Sequence, residues 1–321
     1  MKKIDVIIPA FKAQETIIRT LSSIVMQSIV ENIKVIIVND ADGIGYKKYV
    51  DMFKDSLDIT EITLEKNGGP GVARQLGIDK TNSPFFTCID ADDTFSNAFS
   101  LEILLKNIEN LPQFIMVSGA FIEQQLNLKF ITHSQDLVWM FGKLYRRSFI
   151  QKYGIKFNET RANEDNGFNT WIRLIASPEE KINFITDTVY FWHYKEDSIT
   201  RINNCQYSYD QSFVGYTDNM IWAIKNAKKS KPFNNYIDMW SIQCMAQLYI
   251  YYYQTVKRDP RFIEQNFKYC KKFYNEIFKK YIEMPKEQYE VIFAEVLAQQ
   301  SINMKDIVPD KTIFQFIETL K

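Results

Sequence analysis

Apolar residues along the first 120 positions change period repeatedly, and each change marks an element. Ile4 to Ile8 is a short apolar run, Ile33 to Val38 a second, Phe85 to Ile89 a third and Phe114 to Val117 a fourth. Unbroken runs of this length, rich in β-branched residues, suit strands covered on both faces. Between them, Glu15 to Gln27 sets Ile17, Ile18, Leu21, Ile24 and Val25 at helical spacing, and Val72 to Ile78 and Leu101 to Ile108 share that period. Strand and helix in alternation predict the α/β class: a mostly parallel, Rossmann-like sheet with helices on both faces. Ligands of such sheets lie beyond the carboxyl ends of the strands. Pro9-Ala10-Phe11, Asn39-Asp40 and Asp90 to Asp93 fall there.

Beyond residue 120 the pattern loosens. Phe141 to Tyr145 and Val189 to Tyr194 read as short strands, and Asn166 to Ile175 as a helix. From about residue 203 only helical periods remain, broken at Lys231-Pro232, Asp259-Pro260, Met284-Pro285 and Val308-Pro309, where proline ends or begins a helix. The expectation is a sheet domain over residues 1–202, then an all-helical region of four or five helices over 203–321. Tyr236 to Tyr253 is the most aromatic stretch, and a buried helix is its commonest explanation.

Composition narrows the function classes. The 39 basic and 39 acidic residues cancel, so no global field recruits nucleic acid. Cys88, Cys205, Cys244 and Cys270 are scattered without a CxxC pair, which predicts buried thiols in a reducing compartment. Asp5 interrupts the first apolar run, so no signal peptide is expected, and no stretch offers the ~20 uninterrupted apolar residues of a membrane span. A cytoplasmic location is the expectation.

Three clusters carry candidate chemistry. Asp90-Ala91-Asp92-Asp93 crowds carboxylates at a strand tip, where mutual repulsion asks for a positive charge. A hard divalent cation held by one or two of them and completed by substrate phosphates answers that need; an Asp-rich turn capping the next helix is the plainer alternative. Gly68-Gly69-Pro70-Gly71 leads into a helix bearing Arg74, whose guanidinium pairs with phosphate or merely clamps a carboxylate. Asn163-Glu164-Asp165 opens another predicted helix, as plain N-terminal acids or as a source of a general base.

Taken in order, these motifs resemble family 2 glycosyltransferases, inverting enzymes of the GT-A fold that use nucleotide-sugar donors. The likeness runs from residue 4 to about 201. It rests on Val6-Ile7-Ile8-Pro9-Ala10-Phe11, Glu15, Val38-Asn39-Asp40-Ala41-Asp42-Gly43, Asn67 to Ile78, Asp90 to Asp93, Gly142 to Arg147, Asn163-Glu164-Asp165 and Ser198-Ile199-Thr200-Arg201. The resemblance implies that Asp90 and Asp92 form a D-x-D motif, with Asp92 ligating Mn²⁺ or Mg²⁺ on the donor diphosphate and Asp90 touching ribose or sugar. It implies Asp165 as catalytic base with Glu164 beside it. Pro9, Ala10, Phe11, Glu15, Asp40, Asn67, Gly71, Arg74, Ala91 and Arg201 would contact the donor, with Asp40 accepting from the base, uracil being commonest. Asn39 stands where the family usually has an acid, which puts the base in doubt. His193 would complete the metal site or touch the diphosphate, with Lys195 nearby, or is a buried, hydrogen-bonded histidine beside aromatic strands; Lys143, Arg146 and Arg147 would approach an anionic donor or acceptor or simply start a helix, and His133 reads as surface. The acceptor would be a glycan or other polymer, nucleic acid entering only as an acceptor. Two rivals stay open: a nucleotidyltransferase acting on sugar phosphates, and a non-catalytic carbohydrate-binding scaffold.

Overall fold

The computed structural model describes residues 2–196, 212–300 and 307–321. The chain divides into two units, Met1–Glu196 and Asp197–Lys321. The first contains β1 (Ile4–Ala10), α1 (Ile17–Val25), β2 (Ile33–Asn39), α2 (Lys47–Phe53), β3 (Asp58–Thr63), α3 (Pro70–Asp79), β4 (Phe85–Cys88), β5 (Thr94–Phe95), α4 (Ser100–Lys106), β6 (Phe114–Gln125), β7 (Lys129–His133), β8 (Lys143–Arg146), α5 (Arg147–Tyr153), α6 (Glu164–Ile175) and β9 (Lys181–Trp192). The strands join one nine-stranded sheet in the order β3-β2-β1-β4-β8-β6-β9-β5, with β7 paired to β6.

The sheet has two characters. β3, β2, β1 and β4 run parallel. β8 then enters antiparallel to both β4 and β6, and β5 and β7 are antiparallel to β9 and β6. Only β6 and β9 restore a parallel pair, through several register shifts. The sheet is therefore mixed rather than parallel across its width. The apolar runs predicted as strands are β1, β2, β4 and the start of β6, buried as two-sided coverage requires. Two strands carry no such run. β3 reads Asp-Ile-Thr-Glu-Ile-Thr and is half exposed, and β7 is an almost fully exposed edge.

Close packing fixes the approach of α3. A Cβ on Gly77 would stand 2.4 Å from Cγ2 of Ile7 on β1, and one on Gly71 would stand 2.8 Å from Cγ of Glu164. Only glycine lets this helix lie so near both the central strand and the start of α6.

The second unit is helical throughout its described residues, with α7 (Ser212–Ser230), α8 (Asn235–Arg258), α9 (Ile263–Phe273), α10 (Lys286–Gln299) and α11 (Ile313–Leu320). A π-helical turn, Tyr274–Phe278, and a 3-10 turn, Lys279–Glu283, follow α9. Pro232 and Pro260 each follow a helix end, and Pro285 precedes the first residue of α10. Tyr249 and Tyr253 of α8 are buried, and Phe316 of α11 packs against them, so much of the aromatic stretch is core. Tyr236 at its start is exposed. Cys88, Cys244 and Cys270 are buried; Cys205 lies outside the described residues.

Candidate active site

The ends of β1 and β2 form one wall. Ala10 is buried beneath the exposed ring of Phe11, and Lys12 stacks its ammonium over that ring from a left-handed backbone. Glu15 is exposed on the approach to α1. Asp40 turns inward: one oxygen accepts from Gly68 N–H at 2.6 Å, the other from Gly69 N–H at 2.9 Å and from the Asn67 amide at 3.0 Å. The predicted base acceptor is thus buried and engaged in shaping the glycine loop. Asp42 beside it accepts from Ile44 and Gly45 N–H and from Gln14. Burial opposes its charge, yet the Gly45 and Ile44 donors outweigh burial and hold the carboxyl well below its usual range.

Arg74 is the hinge pin of the site. Its side chain is 5% exposed; one terminal nitrogen donates to Asp90 Oδ1 at 2.7 Å and the other to Glu164 Oε1 at 2.8 Å. Burial works against the guanidinium charge, but Asp90 and Glu164 more than offset it and raise its pKa further. One cation therefore ties the strand tip after β4 to the first residue of α6. The two acidic motifs, 74 positions apart in sequence, sit one guanidinium apart in space.

Asp92 leaves one third of its side chain open to solvent, with Lys195 Nζ 3.9 Å from Oδ2. Burial raises its pKa and the neighbouring Asp90 adds to the rise. The Asp92 carbonyl accepts from Arg19 of α1. Asp93 is fully buried: the Tyr190 hydroxyl donates to Oδ2 at 2.6 Å and His193 N–H to Oδ1 at 2.9 Å. The same hydroxyl accepts from Asp90 N–H at 3.3 Å, so Tyr190 of β9 braces both ends of the turn. Asp93 supports the turn from beneath rather than capping α4. His193 holds Nε2 2.9 Å from Thr94 Oγ1, which commits its outer nitrogen to β5. Burial lowers its pKa to about 4, so the imidazole is neutral at neutral pH. Among the described residues no three His, Cys, Asp or Glu side chains converge as a metal cage. The donor set fits a hard cation held by one or two carboxylates and completed by phosphate oxygens, with Asp92 the accessible ligand. His193 stands beside that turn with Nε2 on Thr94.

Asp165 lies in the first turn of α6, behind Asn163 in a left-handed conformation. It is buried and accepts from Asn166 N–H at 2.7 Å. Burial raises its pKa to about 7, Glu164 adds to the rise and Arg74 opposes it. A carboxyl poised near neutrality is what general-base work requires. The expectation for Lys143 is corrected. It is fully buried, 3.2 Å from Asp136, because β8 lies between β4 and β6 in mid-sheet. Arg146 donates to the carbonyls of Phe114, Ile108 and Leu111, and Arg147 to that of Ser83, so both serve the fold. His133 is half buried, stacked on Phe121 and 2.9 Å from Glu123.

Sequence reasoning passed over Arg19, Thr94 and Tyr190. Arg19 could have been found as a basic residue on the solvent side of an otherwise apolar helix. Tyr190 had no signal of its own, since a tyrosine in an aromatic strand reads as core. Arg201 lies outside the described residues.

Residues 5–163 match the model of glycosyl transferase family 2. A teichoic acid poly(glycerol phosphate) polymerase of Staphylococcus epidermidis is 23% identical over 250 residues, covering 72% of this chain and 34% of its own length. The chain spans about a third of the length of the first curated relatives it matches. Among solved structures, S. aureus TarS 1–349 in complex with UDP-GlcNAc superposes with a TM-score of 0.70 at 15% identity, over 94% of this chain and 92% of that one. The mannosyltransferase PcManGT of Pyrobaculum calidifontis, in complex with GDP-Man and Mn²⁺, gives 0.52 at 12% identity, over 99% and 79%. These likenesses show the GT-A fold with a helical C-terminal region. Through residues 5–163, the chain belongs to glycosyltransferase family 2.

Proposed function

We propose that this protein transfers a sugar, with inversion, from a nucleoside diphosphate donor to a hydroxyl of a glycan or other polymer. The single observation that carries the reading is the Asp90–Arg74–Glu164 bridge. It sets a carboxylate-rich strand tip beside a helix start whose next residue, Asp165, has a pKa near neutrality. Asp165 is the base: its unprotonated carboxylate takes the acceptor proton as the hydroxyl attacks the sugar carbon from the face opposite the phosphate. Glu164 holds Arg74 and thereby orients Asp165. Asp92, with Asp90 behind it, holds a divalent cation, Mn²⁺ or Mg²⁺. That ion's contribution when bound is to offset charge on the departing diphosphate. Lys195 and Arg19 add positive charge at the same edge. The UDP of the TarS complex and the Mn²⁺ of the PcManGT complex support a uridine donor and a metal requirement. The family names of the relatives support a cell-surface polymer, teichoic-acid-like or glycan, as acceptor. We assign catalysis to residues 1–202, acceptor binding or packing to residues 203–321, and the reaction to the cytoplasm, where nucleotide sugars are made.

The test is a panel of nucleotide sugars with Mn²⁺ or Mg²⁺, followed for free nucleoside diphosphate. Release that disappears in Asp92→Asn supports the transferase. Pyrophosphate from a nucleoside triphosphate and a sugar phosphate would replace it with a nucleotidyltransferase. Silence across the panel, with teichoic-acid and glycan acceptors present, would leave a carbohydrate-binding scaffold.

A further inference from the structure

The helical unit contains a cleft of about 190 Å³ lined by Ile224, Lys225, Lys228, Asn275, Glu276, Ile277 and Lys280. α7 supplies one side, and the π-helical turn with the start of the 3-10 turn supplies the other. Three lysines spaced over two elements converge here, two of them on a single carboxylate. Lys228 Nζ and Lys280 Nζ lie 2.7 and 3.4 Å from the same atom, Oδ1 of Asp238. The Tyr281 hydroxyl donates to that oxygen as well, at 2.5 Å. Both ammonium groups also flank the Tyr281 ring, 5.4 and 4.6 Å from its centroid. Lys225 is held by Glu276 at 2.6 Å.

The cleft brings together three ammonium charges against two carboxylates, Asp238 and Glu276, and Lys228 is the least exposed of the three lysines. Two like charges drawn onto one oxygen repel each other. Burial already pushes the Lys228 pKa down, and Lys280 beside it adds to that. A group with several acceptor oxygens and at least one negative charge would offset the surplus positive charge and separate the two cations. The Asn275 side chain offers a further donor on the same rim, and Ile224 and Ile277 form an apolar floor. The volume suits a tetrahedral group with a short substituent, not a whole nucleotide.

We propose that this cleft binds a phosphate-type oxyanion, a phosphomonoester or phosphodiester, through Lys225, Lys228 and Lys280. It is a second anion site, built from residues of the helical unit alone. The proposal does not depend on glycosyl transfer.

The experiment is a titration of the full chain with inorganic phosphate and, separately, with dimethyl phosphate. Backbone amide shifts of residues 224–228 and 275–281 are followed at constant ionic strength. Saturable shifts confined to those segments are expected. A monoester site prefers inorganic phosphate, and a diester site binds dimethyl phosphate as well or better. Lys228→Gln with Lys280→Gln should weaken binding about tenfold. Glu276→Gln, which frees Lys225 from its competitor, should instead tighten it several-fold. That opposite sign keeps the test decisive should the lysine variants fold poorly. Shifts that do not saturate, or a Glu276→Gln protein no tighter than the parent, would overturn the assignment.

Discussion

The two halves of the sheet in the first unit do different work. The half built of β3, β2, β1 and β4 is regular and parallel, and its three inner strands are continuous apolar runs. The half built of β8, β6, β9 and β5 is mixed, shifted in register and aromatic, with the rings of Phe121, Tyr190 and Trp192 packed around that of Phe141. The parallel half presents the glycine loop and the carboxylate turn at its strand ends. The mixed half reaches back to hold that turn, through Tyr190 on Asp93 and His193 on both Asp93 and Thr94. A regular scaffold sets where a site is, and an irregular partner sets how its side chains point. Packing one against the other gives precision that neither would have alone.

That division of labour is open to attack at defined points. The largest expected effect is on chemistry. Asp165→Asn, which keeps the shape and removes the base, should cut turnover about 10³-fold while leaving the folded state intact. Donor turnover measured beside thermal unfolding would check it, and near-normal turnover would remove Asp165 from its role. Arg74→Ala should follow, because it strands buried Glu164 and the strand-tip Asp90 without their cation. A loss of about 3–5 kcal/mol in unfolding free energy is expected, and denaturant titration measures it. If the loss is trivial, the bridge between the halves carries no weight.

Smaller effects sharpen the picture. Tyr190→Phe removes one of two donors to buried Asp93 and should cost about 1–3 kcal/mol, with weakened metal dependence of turnover as its site-specific signature. Gly77→Ala drives a methyl into Ile7 and should cost about 1–3 kcal/mol by the same denaturant assay, without altering that metal dependence. The pH dependence has a sign that can be worked out. Asp165 titrates at about 7 in the folded chain against an ordinary 3.8, so the folded form keeps a proton that the unfolded form has lost between those values. Its contribution to stability is therefore present at low pH and declines as pH rises from about 4 to about 7, and Asp165→Asn should flatten that slope. Activity runs the other way: kcat/KM should rise with pH through about 7 as the base is freed. His193, held near 4 by burial, adds no limb of its own around neutrality.

Much of this was legible in the chain. β1, β2 and β4 announced themselves because strands buried on both faces must be apolar throughout. The prolines at 232, 260 and 285 marked helix boundaries because proline lacks the donor that a helix interior needs. β3 and β7 were silent because a half-exposed or edge strand needs no apolar run. The buried state of Lys143 was equally hidden, since a lysine in a basic stretch looks solvated until a strand on each side is known to enclose it.

The sequence by itself determined the class of fold and singled out the acids at the candidate site, because hydrophobic period and strand-end carboxylates are local properties of consecutive residues. Tertiary structure alone decided that Arg74 joins Asp90 to Glu164, that Asp40 faces the glycine loop, and that His193 is drawn to Thr94. These are pairings between residues far apart in the chain, and charge and hydrogen bonding act over ångströms, a scale on which sequence separation has no meaning.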